Sequence, residues 1–176
     1  LALIYPLSIL AAKPIALVIG PRYIRYMKSG DFISAKNILF FSCGGLLFIT
    51  VSIASVISGN AQEVIEFILG GGEFDASVAS VTGGLLKLAI WGLPAEAISR
   101  VLLVPLLNDG RIHAVSVIYS TRYIMQMGLS YALFNWIGRN GLIWSYVVAV
   151  GLQLLFEAGY LSYIMGQKAP KPSWSD

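Results

Sequence analysis

Long apolar segments alternate with short polar ones along this chain. Residues 3–26, 33–58, 77–107, 112–137 and 142–165 are mostly apolar, and short stretches rich in Gly, Asn, Asp, Arg or Lys separate them. A helix needs about 20 mostly apolar residues to cross the hydrocarbon core of a bilayer. The pattern therefore predicts an all-α, polytopic transmembrane helix bundle of about five spans within residues 1–166. A tail over residues 167–176 is expected to follow it.

A sixth segment, residues 61–69, is apolar on one helical face but too short to span. Asn60 followed by Glu63 is typical of a helix N-cap with an acid three residues on, and Gly70–Gly72 ends the pattern. We expect an interfacial helix here.

Prolines and glycines within the spans predict local features. Pro14 and Pro94 are expected to kink or break their helices and to act as hinges. The neighbouring pair Gly44 and Gly45 suits a close helix–helix contact in the second span.

Composition supports a membrane protein. Hydrophobic residues make up 57% of the chain and charged residues 12%, about half the charged share of a soluble domain; mean hydropathy is +0.76. The net charge of +3 is better explained by membrane topology than by nucleic-acid binding. With a single cysteine, Cys43, and a single histidine, His113, no zinc site or Cys–His nucleophile can form. We expect no metal, no cofactor and no enzymatic activity.

The loop charges predict an orientation for five spans. If the end of the first span faces the cytoplasm, that side receives seven basic residues, whereas the outer side receives one basic residue and four acids. Such an asymmetry is what the positive-inside rule predicts for a multi-pass protein of the cytoplasmic membrane whose first span begins outside and whose C-terminus is cytoplasmic. The cytoplasmic set is Arg22, Arg25, Lys28, Lys36, Arg111, Lys168 and Lys171, and the outer set is Arg139 with Glu63, Glu66, Glu73 and Asp75.

Six ionisable residues remain inside the spans. A charge at membrane depth costs at least about 2.5–3.5 kcal/mol, so something must offset it. Counting four basic groups against two acids gives 4 − 2 = +2, which predicts an anion-attracting cavity if the groups converge. The six are Lys13, Lys87, Glu96, Arg100, Arg122 and Glu157.

Each of these charges has a structural alternative to a functional role. Lys87 lies where it can extend toward the interface. Glu96 and Arg100 are four residues apart and form a same-face ion pair, or Arg100 faces a water-filled cavity beside Pro94. Arg122 has no acid within four residues, so its partner is on another helix, for instance Glu157, or is a ligand. The same choice holds for Lys13.

Four motifs lie at Ile19–Asp31, Phe67–Asp75, Trp91–Ala95 and Asn108–Arg111. The first pairs a Pro-Arg helix exit with a Gly-Asp, the second is a short helix with a Gly-x-Phe turn, the third is a Gly-Leu-Pro-Ala step and the fourth is an Asp-x-Arg-type loop. In their order and spacing these motifs resemble those of the lipid II flippases of the MurJ/MviN group. Residues His113–Ala114 stand where that family has Thr-Pro, and Lys13 has no counterpart there.

The resemblance implies one partial lobe of a transporter of the MOP superfamily, which also contains polysaccharide flippases and MATE-type extruders. Such proteins have 12 to 14 spans in two lobes, so this chain, which does not begin with Met, is expected to be a piece of the second lobe and to pack against the remaining half. The expected activity is flipping of a lipid-linked, phosphate-bearing saccharide by alternating access. Arg100, Arg122 and Lys13 would contact the diphosphate, with Glu96 and Glu157 as their charge partners.

Two other functions are compatible with the residues. One is a proton- or sodium-coupled multidrug extruder, in which Glu96 and Glu157 would be the ion-coupling groups. The other is a non-transporting membrane scaffold, in which all six charges would pair in a dry interior.

Overall fold

The fold is a bundle of α-helices around one central, well-buried helix. The computed structural model describes residues 4–69 and 76–168, and within them every element is helical. The helices are α1 (Ile4–Lys28), α2 (Phe32–Gly59), α3 (Ala61–Leu69), α4 (Ala76–Ala89), α5 (Leu93–Asn108), α6 (Ile112–Ile137) and α7 (Arg139–Lys168), with a 3-10 turn at Ile90–Gly92 between α4 and α5.

The predicted segments agree with these helices to within three residues at each end. The third predicted span consists of α4, the 3-10 turn and α5 in series. The structure thus confirms the all-α helix bundle. Residues 70–75 and 169–176, which include Gly70–Gly72, Glu73, Asp75, Lys171 and nearly all of the predicted tail, lie outside the described residues.

Four helical segments in the described ranges are long and apolar enough to cross a membrane: α1, α2, Val78–Asn108 and α7. The fourth predicted span, α6, has the length of a span at 26 residues but does not reach the same apolarity. Polar residues such as Arg122, Gln126 and Asn135 interrupt it. The predicted count of five spans is therefore supported for four helices and stays a prediction for α6.

Two helix ends of the bundle share one turn geometry. Gly30 follows α1 with a φ of 75°, and Gly110 follows α5 with a φ of 71°. In each case the next residue donates its N–H five residues back, Asp31 to Tyr26 and Arg111 to Leu106, both at 3.1 Å or less. This is the Schellman arrangement, in which a left-handed glycine closes the helix. Both turns reverse the chain tightly and keep consecutive helices adjacent.

The caps at the two ends of α2 differ from each other. The Asp31 side chain accepts a hydrogen bond from the Ser34 N–H at 3.0 Å, which lowers the pKa of that carboxyl group. At the other end, the Asn60 amide nitrogen donates to the Val56 carbonyl at 2.9 Å. Asn60 therefore closes the end of α2; its role as the N-cap of α3 stays a prediction, because an amide that donates through its nitrogen can also accept through its oxygen.

The short helix α3 packs on α4. Ala61 and Ile65 are buried against Ala79 and Leu86, whereas Phe67 is 91% exposed. The predicted short helix is thus present, with its apolar residues divided between an inner and an outer face, and its interfacial position stays a prediction. Gly83 permits the approach, since a Cβ there would lie 2.9 Å from the Gln62 Cα.

The glycine pair in α2 does not make the expected contact. Gly44 and Gly45 are both exposed, and an added Cβ would meet no atom of the described residues within 4 Å. Their prediction as a close helix contact within this chain is wrong, because the pair lies on the outer face of α2. Leu46, the next residue, is the one that points into the core.

The core is centred on α5. Ala97, Val101 and Leu106 of α5 are fully buried and pack with residues of α1, α2 and α7 such as Ala12 and Leu46. A second cluster joins the 3-10 turn to α7 through Ile90, Leu93, Tyr146 and Val150. The polar side chains of α5 that face its neighbours are consequently surrounded by packed helices.

Candidate functional site

Glu96 on α5 is the shared counter-ion of two arginines. Its Oε1 lies 3.3 Å from Arg100 Nη2 one turn along the same helix, and its Oε2 lies 3.0 Å from Arg122 Nη2 on α6. The four-residue pair predicted between Glu96 and Arg100 is confirmed. The contact with Arg122 is an ion pair by distance but not a well-aligned hydrogen bond, because Glu96 Oε2 accepts none from the described residues. We regard it as an ion pair, since opposite charges attract without strict alignment.

A glutamine links Arg122 to the second buried acid. Gln153 on α7 accepts a hydrogen bond from Arg122 Nη1 at 2.9 Å, and its amide nitrogen donates to Glu157 Oε1 at 2.7 Å and to the Ser99 hydroxyl at 2.9 Å. Arg122, Gln153 and Glu157 are all buried. The sequence named Glu157 as a possible direct partner of Arg122; the direct ion-pair partner is Glu96 instead, and Gln153 stands between the other two.

Arg100 is held by the first helix as well as by Glu96. Its Nε donates to the Ser8 hydroxyl at 3.0 Å, and its guanidinium lies 4.5 Å from the centre of the Tyr5 ring. A guanidinium over an aromatic face gains electrostatic attraction from the ring. These contacts fix α1 against α5 and leave the Arg100 side chain only partly exposed, at 21%.

Arg122 lies between two tyrosines. Its guanidinium carbon is 5.4 Å from the Tyr123 ring centre and 5.8 Å from that of Tyr146 on α7. Even so, Arg122 Nε donates to no atom of the described residues, and Glu157 Oε2 accepts no hydrogen bond from them. Buried polar atoms usually have hydrogen-bond partners. Arg122 Nε can therefore still donate a hydrogen bond, and Glu157 Oε2 can still accept one.

A groove between α6 and α7 leads to Arg122. Its volume is about 470 Å³, and it runs from His113, in the first turn of α6, to Arg122 and Gln153. Nine residues separate His113 from Arg122, a rise of about 14 Å along a helix. The walls between these ends are apolar, with Val117 and Phe156 among them. Arg122 and Gln153 therefore line the inner end of this groove, whose accessible surface is almost entirely apolar.

Only part of the predicted set converges. The structure brings Glu96, Arg100, Arg122 and Glu157 into one network, but Lys13 and Lys87 have exposed side chains that make no ion pair within the described ranges. The four clustered groups balance at 2 − 2 = 0 when all are ionised. The expected surplus of two positive charges is therefore wrong, because both lysines extend outward from their helices.

The two predicted hinges lie in different environments. Pro14 is exposed within α1, which continues past it as one helix. Pro94 is buried at the start of α5, directly after the 3-10 turn Ile90–Gly92. The helical geometry therefore changes just before Pro94, as expected, whereas α1 continues through Pro14 without a break.

The sequence predicted Glu157 as a member of this site, but not Gln153, Ser99, Ser8 or Tyr5. Gln153 and Glu157 are four residues apart on α7, a spacing that places them on one helical face and that was a usable signal. Ser8, Ser99 and Tyr5 carry no comparable signal, because isolated serines and tyrosines are common in membrane helices. Their role follows only from how α1 and α7 pack on α5.

Comparison of this chain with protein-family models, with curated proteins and with solved structures finds no match. The likeness to flippases therefore rests on the four sequence motifs and stays a prediction.

Proposed function

We propose that this chain is part of a membrane transporter that flips a lipid-linked, phosphate-bearing saccharide by alternating access. The observation that carries the proposal is Arg122, a buried guanidinium near the middle of α6 that borders an open groove and has an N–H without a partner in the described residues. A guanidinium is well suited to phosphate oxygens because its N–H groups match them in pairs.

The shared carboxylate gives the site a way to exchange partners. Glu96 serves two arginines, so neither guanidinium has a full complement of anionic oxygens. A diphosphate entering the groove would add acceptor oxygens to Arg122 first and to Arg100 once α1 or α5 moves. Glu96 and Gln153 then hold the arginines in place when the cargo has left. In this proposal Lys13, on the outer surface of the bundle, contacts the cargo only if another lobe covers it.

The test is transport by the natural protein in vesicles with a fluorescent lipid-linked saccharide diphosphate. We expect Arg100→Ala and Arg122→Ala to abolish flipping while expression stays normal, and Lys87→Ala, an exposed lysine outside the network, to flip normally. Arg122→Lys keeps the positive charge but loses the planar guanidinium that binds two phosphate oxygens at once, so this variant should remain folded and flip slowly. Normal flipping in both alanine variants would exclude this function.

A second candidate is a proton- or sodium-coupled extruder. It is favoured by the buried Glu157, whose Oε2 accepts no hydrogen bond from the described residues. Here pH-dependent efflux of a cationic dye that is lost in Glu157→Gln would decide for the extruder.

A third candidate, a non-transporting scaffold, is favoured by the mutual pairing of Glu96 with both arginines. Absence of all transport with unchanged assembly would decide for it.

A further inference from the structure

A second groove lies on the opposite side of α7 from the groove between α6 and α7, because different residues of α7 line the two. Its volume is about 660 Å³, and it is formed by α2 and α7 as walls with Ile98 and Leu102 of α5 as the floor. Neither Arg100 nor Arg122 lines it. The walls carry Leu39, Phe40 and Leu154, so the interior is apolar.

The length of this groove matches one leaflet of a bilayer. Along α2 it extends from Phe32 to Cys43, and along α7 from Gly166 back to Leu154. These stretches are twelve and thirteen residues long, and their eleven and twelve helical steps give about 16–18 Å, against about 15 Å for half of a hydrocarbon core. Since α2 begins and α7 ends at the same face of the bundle, the groove runs from that face to about mid-membrane.

The open end of the groove is basic. Lys36 lines it and is exposed, and the exposed Ser162 hydroxyl lies in the last turns of α7 near the same end. No acidic residue is among the lining residues in the described ranges. The neighbouring helix ends add exposed Arg25, Lys28 and Arg111 to the same face, together with one exposed acid, Asp31, so basic residues remain in excess there.

We propose that this groove binds one phospholipid with an anionic headgroup, taken from the leaflet at the basic face of the bundle. The Lys36 ammonium contacts the lipid phosphate, and one acyl chain lies between α2 and α7 on the α5 floor. The occupant follows from two independent matches: a single cation at the interface end of an otherwise apolar groove, and a depth of one leaflet. An amphipathic lipid satisfies both, whereas a soluble ligand would leave the apolar walls unused.

Native mass spectrometry of the natural protein in detergent tests the proposal, with phosphatidylglycerol and phosphatidylcholine of identical chains as probes. We expect phosphatidylglycerol to bind more tightly. Lys36→Ala should weaken its binding about fivefold, the effect of one lysine near a charged lipid surface, and leave phosphatidylcholine unchanged. Lys36→Arg should restore the preference. The matched control is Lys28→Ala, which removes a lysine from the same face but not from the groove and should change neither lipid.

Filling the groove provides a second measurement. Ala158→Phe places a ring between the walls and should reduce binding of both lipids, with Ser162→Trp as a variant at an exposed position in case the first does not fold. Equal losses in Lys28→Ala and Lys36→Ala would overturn the proposal in favour of diffuse surface attraction. Tighter binding of a polyprenyl phosphate than of phosphatidylglycerol would assign the groove to the cargo and also overturn it. Both outcomes are independent of whether Arg122 variants flip.

Discussion

At Glu96, one carboxylate neutralises two guanidinium groups in a largely buried setting. Removing one member of a buried ion pair costs much more than the pair contributes, because the remaining charge loses its compensation. Glu157 differs, since its described contact is a hydrogen bond from the neutral Gln153 amide. Loss of the Glu96 charge is therefore expected to destabilise the protein more than loss of the Glu157 charge.

This difference predicts a large loss of stability for one isosteric substitution and a small change for the other. Glu96→Gln leaves Arg100 and Arg122 without a counter-ion and should lower the free energy of unfolding by about 3–5 kcal/mol. Glu157→Gln retains an acceptor oxygen for Gln153 and should change it by no more than about 1 kcal/mol. Unfolding in mixed detergent micelles, followed by circular dichroism, measures both. Similar losses in the two variants would contradict the assignment of Glu96 as the shared counter-ion.

The candidate site could be predicted only where residues share a helix. Glu96 and Arg100 are four apart, so the helical repeat alone pairs them. The contact from Glu96 to Arg122 depends on how α6 lies against α5, which no local pattern encodes. For Lys13, the sequence predicted the depth within the span but not which face of the helix carries the side chain. It shares a face with Leu10 and Leu17, which are 72% and 67% exposed.

At the scale of elements, α3 and α4 form a helical hairpin held by backbone proximity. Gly83 of α4 lies against the backbone of Gln62, and an added methyl group would have to displace α3. The adjacent Gly84 is exposed, and nothing in the described residues lies near its added Cβ. The close contact with α3 thus requires glycine at position 83 but not at position 84.

These glycines make a matched pair for measuring that contact. Gly83→Ala should destabilise the protein by about 1–3 kcal/mol, because a backbone neighbour cannot move aside as a side chain can. Gly84→Ala should be neutral or stabilise it by about 0.5–1 kcal/mol through its higher helix propensity. Thermal unfolding in detergent with both variants checks this. A loss for Gly84→Ala as large as that for Gly83→Ala would show that the interhelical contact is not the cause.

Elements were predictable here because each has a strong local signal. The apolar segments located the helices, and the glycines after α1 and α5 ended them by a geometry that glycine favours. Which helices pack against each other was less predictable. Gly44 and Gly45 have the composition of a close helix contact, yet the described residues place no helix beside them. Small residues permit close approach but do not say which neighbour uses it.

At the scale of the whole molecule, the status of α6 decides the topology. Its polar residues lower its hydropathy below that of the other long helices, but Arg122 points into the bundle, where Glu96 and Gln153 compensate it. A helix whose charge is neutralised internally can still span. The loop charges favour a spanning α6, because otherwise the basic α7 end and the basic α1 end would lie on opposite sides of the membrane.

Cysteine labelling in the natural protein separates the two topologies. In a Cys43→Ala background, a single cysteine at Asn108 precedes α6 and one at Asn140 follows it, both at exposed positions. If α6 spans, a membrane-impermeant maleimide added to intact cells labels Asn140→Cys, and it labels Asn108→Cys only after permeabilisation. Labelling of both in detergent controls for accessibility. If the two cysteines instead react from the same side, α6 does not cross the membrane, and Arg122 is no longer at the depth that the transport proposal requires.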